Sequence, residues 1–130
     1  MSAEPVESCV AEFTPTFACW DLLEYLDAHR PVEATVADFA ERIGRPIRDV
    51  AAATEALVAA KVLKQTRLGP STAAYTYDPP PETLERVVTF LARLRDPNVR
   101  LEVVTAILKL NEGGRRSAEP RFGLGWPFRR

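Results

Sequence analysis

The sequence predicts an α+β fold, mostly helical: a helix, a helix-turn-helix pair, a β-hairpin and two C-terminal helices. Three observations predict it. Apolar residues recur at helical spacing in five stretches between Phe17 and Leu110, and the period changes to alternation only over Val62–Tyr77. Thr, Gly and Pro punctuate the chain where those stretches meet. At 130 residues, with 46% hydrophobic and 27% charged, the composition is that of one globular domain.

Residues 1–13 are acidic and show no sustained periodicity, which predicts a flexible lead-in. The first helix is expected from Thr16, a side chain suited to N-capping. Phe17, Trp20, Leu23 and Leu26 repeat along it, and Pro31 forbids continuation beyond His29-Arg30. Thr35 with Asp38 three residues on resembles a capping box, and Val36, Phe39, Ala40 and Ile43 form an apolar face. Gly44 suits the left-handed residue that closes a helix, and Pro46 fits the start of the next. Ile47, Val50, Ala51, Thr54, Leu57 and Val58 then repeat at helical spacing over 46–58. Val62–Leu68, the turn Gly69-Pro70-Ser71-Thr72, and Ala73–Tyr77 read as strand, turn and strand. Pro79-Pro80-Pro81 is a stiff extended spacer.

Two helices follow. Leu84, Val87, Val88, Leu91 and Leu94 mark one over 82–95, stopped by Asp96-Pro97-Asn98. The second, over 99–112, is apolar on more than one side and is expected to stop at Gly113-Gly114. A helix of that kind must be covered on more than one side. A second subunit is the expected cover, with Leu91, Val99, Val103, Val104, Ile107 and Leu108 as a homodimer interface. The organisation is thus a lead-in at 1–13, a core domain at 14–78, a dimerising extension at 79–112 and a tail at 113–130.

Residues 35–78 (TVADFAERIGRPIRDVAAATEALVAAKVLKQTRLGPSTAAYTYD) resemble the winged helix-turn-helix domains of small bacterial transcriptional regulators. The resemblance is carried by Phe39-Ala40 with Ile43-Gly44, by the Val50/Leu57/Val58 stripe, and by Leu57–Leu63 leading into a wing with a Tyr-Thr-Tyr return strand. With the preceding helix it covers about half the chain. It implies that residues 46–58 enter a major groove and that the 68–73 turn approaches the minor groove or backbone. Arg45, Arg48, Ala52, Lys64 and Arg67 are the implied DNA-binding residues, with Ala52 able to touch a thymine methyl. Asp49 and Glu55 on the same helix repel phosphate, and the turn at 69–72 is without a basic residue.

Charge is unevenly spread. Residues 1–34 carry seven acids and one base, whereas 113–130 carry five arginines and one glutamate, within a formal net charge of −1. Nucleic-acid contact would therefore be local. Cys9 and Cys19 match no zinc spacing, and His29 is the only histidine, so no metal site is expected. No nucleophile pairs with His29, no glycine-rich phosphate loop is present, and neither a catalytic residue nor a cofactor is expected. No apolar run nears the ~20 residues of a membrane span, and Met1–Pro5 is unlike a signal peptide, which predicts a cytoplasmic protein.

The tail alternates Phe122, Leu124, Trp126 and Phe128 with glycine or proline and ends on two arginines. It can fold back onto a core, dock on another protein, or reach anionic phosphates. The expected function is a homodimeric DNA-binding regulator. The alternative is a winged-helix adaptor that docks a protein through its acidic front or its tail, without DNA contact.

Overall fold

The computed structural model describes residues 4–30, 32–68 and 73–118, with side chains described as far as Asn111 except for Arg67 and Leu68. The helices are α1 (Val6–Phe13), α2 (Phe17–Ala28), α3 (Val36–Ile43), α4 (Ile47–Ala59), α5 (Pro81–Arg93) and α6 (Pro97–Ala118). The strands are β1 (Glu33–Thr35), β2 (Leu63–Leu68) and β3 (Ala73–Tyr77), antiparallel in the order β1-β3-β2. The fold is α+β and mostly helical, in an arrangement compatible with a winged helix.

Local chemistry starts and stops the central helices as expected. The Thr16 hydroxyl accepts from the Cys19 amide at 3.1 Å and caps α2. Thr35 and Asp38 form a full capping box, each side chain accepting from the other's amide at 3.2 Å. Gly44 closes α3 in the left-handed region at φ 71°, a conformation that a β-carbon penalises. Pro46 then occupies the N-cap of α4, where an N–H is dispensable.

The core runs through every helix. Leu22, Leu23 and Leu26 of α2 meet Phe39 of α3 and Val50 and Leu57 of α4, all fully buried. The hairpin closes one end: Val62, Leu63 and Tyr77 are buried, and Tyr75 packs half-buried against the same cluster. Burial pushes the Tyr77 phenol up to about 12, helped by the Asp27 carboxylate to which its hydroxyl donates at 3.4 Å. β1 extends the sheet by pairing Ala34 with Tyr75 across β3. Nothing in the chain's local pattern announces this three-residue strand.

Residues 1–13 depart from the expected lead-in. Among them α1 is a helix with Val6, Cys9, Val10 and Phe13 buried, and it packs on α6 and α4. The four positions fall at i, i+3, i+4 and i+7, a one-sided stripe only two turns long. The acids follow from this placement. Arg86 of α5 donates to both Glu4 oxygens at 2.7 and 2.9 Å and to Glu12 at 2.5 and 3.2 Å, gripping the segment just before α1 and the last turn of the helix. Its guanidinium lies 5.0 Å from the centroid of the Phe13 ring, and Arg93 donates to the Glu4 carbonyl at 2.8 Å.

That packing corrects the expected dimer interface. Val103 and Ile107 are fully buried within the chain, so the cover assigned to a second subunit includes α1. Leu91 and Val99 are half-buried against the same core. Val104 is half-buried and Leu108 is 54% exposed. The glycine stop is corrected as well, since α6 continues through Gly113-Gly114 to Ala118. Two glycines cost a helix roughly 1 kcal/mol each, which does not oblige it to end.

The Arg86 pairs are each more than a third exposed on one side and are screened accordingly, so burial of the α1 stripe dominates the attachment. They still set a pH dependence. Hydrogen bonding to Arg86 holds the Glu4 carboxyl below its ordinary value. A lowered folded pKa contributes stability that is present above the unfolded value of about 4.3 and is lost as pH falls through the folded value. Arg86→Met should therefore lower stability at neutral pH by roughly 1 kcal/mol and flatten the acid limb of the stability profile. Urea melts from pH 7 to pH 3 measure both, and parallel profiles for the two proteins would contradict the assignment.

Candidate nucleic-acid interface

α4 turns Val50, Ala53, Thr54 and Leu57 inward, which fixes its opposite side toward solvent. Ile47, Arg48, Asp49, Ala52 and Glu55 are exposed there, and Ala51 is half-exposed. The hairpin of β2 and β3 stands beyond the C-terminal end of this helix and pairs Leu63 with Tyr77 and Leu68 with Ala73. A register shift between Gln65 and Arg67 leaves Thr66 without an opposite partner. The Thr66 hydroxyl donates to Glu33 of β1 at 2.8 Å, tying the outer strand across the sheet.

The implied DNA-binding residues do not share one environment. Arg45 is half-buried, and its Nε donates to Asp21 of α2 at 2.5 Å. Its charge is matched by Asp21 in a pair whose side chains are both more than a third exposed. Arg48 and Ala52 lie on the open face of α4, and Lys64 is exposed on β2. Arg67 lies on β2 opposite Ala74, with its side chain outside the described residues. Asp49 and Glu55 outnumber Arg48 on the exposed face of α4, whereas Lys64 is exposed on β2.

One basic residue escapes sequence reasoning. Lys61 has φ 68° and closes α4: its amide donates to Val58 at 3.0 Å, and the Val62 amide donates to Leu57 at 2.9 Å. This pair of bonds is the Schellman closure, in which glycine is the usual left-handed residue. The side chain is exposed and, with Lys64, borders a groove of about 540 Å³ walled by Val58, Leu63 and the prolines at 79–81. A lysine following two alanines at a helix end was the available signal.

The other chemistry-bearing residues are placed structurally. Cys19 is fully buried with its thiol 3.6 Å from the Ala53 carbonyl, and burial pushes its pKa up to about 12. Burial likewise raises Cys9. Both cysteines are free thiols. His29 is exposed, stacks on Tyr25 with centroids 4.3 Å apart, and its Nδ1 lies 2.9 Å from the Tyr25 carbonyl. Among the described residues no acidic, histidine or cysteine group could hold a metal, and no helix is long and apolar enough to cross a membrane. The tail residues Phe122, Leu124, Trp126 and Phe128 lie outside the described residues.

Comparison of the chain with family models, curated proteins and solved structures finds no match.

A non-glycine residue in the left-handed region costs roughly 1–2 kcal/mol, partly offset in a glycine variant by greater freedom of the unfolded chain. Lys61→Gly should raise unfolding free energy by about 0.5–1 kcal/mol in denaturant melts. A fall in stability would contradict this geometry.

Proposed function

We propose that this chain is a small winged-helix regulator that binds duplex DNA with α4 in the major groove and the β2–β3 hairpin as its wing. The observation that carries the reading is the open side of α4. Its residues Ile47, Arg48, Asp49, Ala52 and Glu55 are exposed, it lies beside a β-hairpin, and it has Ala52 where close approach to base edges is needed. Arg48, Lys61, Lys64 and Arg67 supply phosphate contacts, which position the domain rather than specify sequence. Such contacts from one subunit are few, and a homodimer doubles them. One apolar strip available for pairing two copies is Leu101 with Val104 a turn further along α6, Leu101 being 65% exposed.

A second reading has its own observation. Ile47 is 59% exposed and Val58 36% exposed on α4, Asp49 and Glu55 are acidic, and Arg45 is held by Asp21. An apolar and acidic helix face suits a protein partner better than a phosphate backbone, and the chain would then act as an adaptor.

A salt-titrated binding assay on random duplex DNA separates the two readings. The regulator shifts duplex mobility at low salt and loses affinity steeply as salt rises. Arg48→Ala should weaken binding and reduce the salt slope by about one. Asp21→Asn should strengthen it, because Arg45 is released from its ion pair and a nearby negative charge is removed. Absence of binding at low salt, with the variants folded, would overturn the regulator in favour of the adaptor.

A further inference from the structure

The N-terminal ends of α2 and α4 and one flank of α6 enclose a groove of about 330 Å³. Phe17, Ala18, Ala52 and Leu108 give it apolar walls, and Thr16, Arg45, Asp49 and Asn111 bring polar groups to it, the Arg45 charge being paired with Asp21. Its volume is at the small end of ligand pockets, suited to one or two side chains. Leu108 is 54% exposed and Phe17 is only half-buried, so the walls are apolar surface that the described chain leaves incompletely covered. Asp49 is exposed and has no ion-pair partner among the described residues, while the Asp21 nearby is already paired with Arg45.

We propose that this groove is the docking site for the chain's own C-terminal segment, residues 119–130, with Trp126 as its aromatic anchor. Three observations select this occupant. The first is position: Asn111 of α6 donates to the Pro15 carbonyl at 3.4 Å, so α6 passes the groove, and it ends at Ala118. Those seven residues advance the chain by about 10 Å at 1.5 Å each. The second is length. The eight residues from Glu119 to Trp126 span up to roughly 26–29 Å when extended, more than enough to double back. Gly123 and Gly125 beside the anchor permit the reversal.

The third is complementarity. The segment combines Phe122, Leu124, Trp126 and Phe128 with Arg121, Arg129 and Arg130. The groove offers apolar walls, an Arg45 whose charge is matched by Asp21, and an Asp49 with no ion-pair partner among the described residues, with Glu55 exposed further along α4. These acids oppose a phosphate backbone but favour an arginine-bearing peptide. Docked there, the segment covers Asp49 and Ala52 at the start of α4 and excludes DNA from it. Only this last consequence rests on the DNA-binding reading; the docking itself does not.

Nuclear Overhauser contacts in the full-length chain test the proposal. The expected result is contact between the Trp126 indole and the methyls of Ala18, Ala52 and Leu108, unchanged on dilution and confined to single chains in an isotopically mixed sample. Asp49→Lys, an exposed substitution, should move the Trp126 indole signals toward their values in an isolated peptide while the core methyls stay in place. Absence of these contacts, or contacts found only between chains, overturns docking in cis. In the DNA assay, Trp126→Ala should raise affinity several-fold; unchanged affinity in a chain that does bind DNA overturns the exclusion. A chain that binds no DNA removes the regulator reading, and the indole contacts still decide where the segment docks.

Discussion

The structure depends on burial of the apolar stripe of α1. Without Val6, Cys9, Val10 and Phe13, the buried side chains of α6 would lack the helix packed beside them. Val103 and Ile107 are at zero exposure, and full burial of a side chain of that size is worth roughly 1.5–3 kcal/mol. One short helix at the start of the chain thus helps cover the long one near its end. The Phe13 and Phe90 rings, 6.3 Å apart, bring α5 into the same layer. The concentration of acids in the first third follows in part from this arrangement. Glu4, just before α1, and Glu12, in its last turn, converge on Arg86, so part of the charge asymmetry is resolved within the fold.

Functional surface is what the packing leaves over. α4 spends one side on the core and keeps the other, and the hairpin presents Lys64 at the surface of β2. Basic charge is sparse there because Arg45 turns to Asp21. The face that remains is a mixture of small, acidic and a few basic side chains. That mixture suits either of the two proposed uses, close approach to DNA or a peptide contact, and the proposed docking of the C-terminal segment would place both on the same helix.

Features legible in the sequence were those set within a turn or two. The Thr16 cap, the Thr35–Asp38 box and the Gly44 closure are bonds between neighbours, and the residue types that make them are few. The hairpin was legible for the same reason, from its alternation and its turn residues. α1 was not, because eight residues contain only two turns of pattern and its N-cap, Pro5, makes no side-chain bond. β1 owes its conformation to β3, which lies forty residues along the chain. The Arg45–Asp21 pair joins residues twenty-four apart, one on α2 and one in the turn between α3 and α4, and spacing in sequence does not encode such a meeting. The α6 residues assigned to a second subunit show the consequence: an apolar helix was recognised, but the part of its cover that lies ninety residues earlier was not.

Native-state hydrogen exchange is the most direct test of this account, because it reports the opening of each segment separately. If α1 is an integral part of the core, the amides of Val10, Phe13, Val103 and Ile107 will open with closely similar free energies, as one cooperative unit. Free exchange of the α1 amides beside a fully protected α6 would show that the last helix stands without it, and would contradict the account.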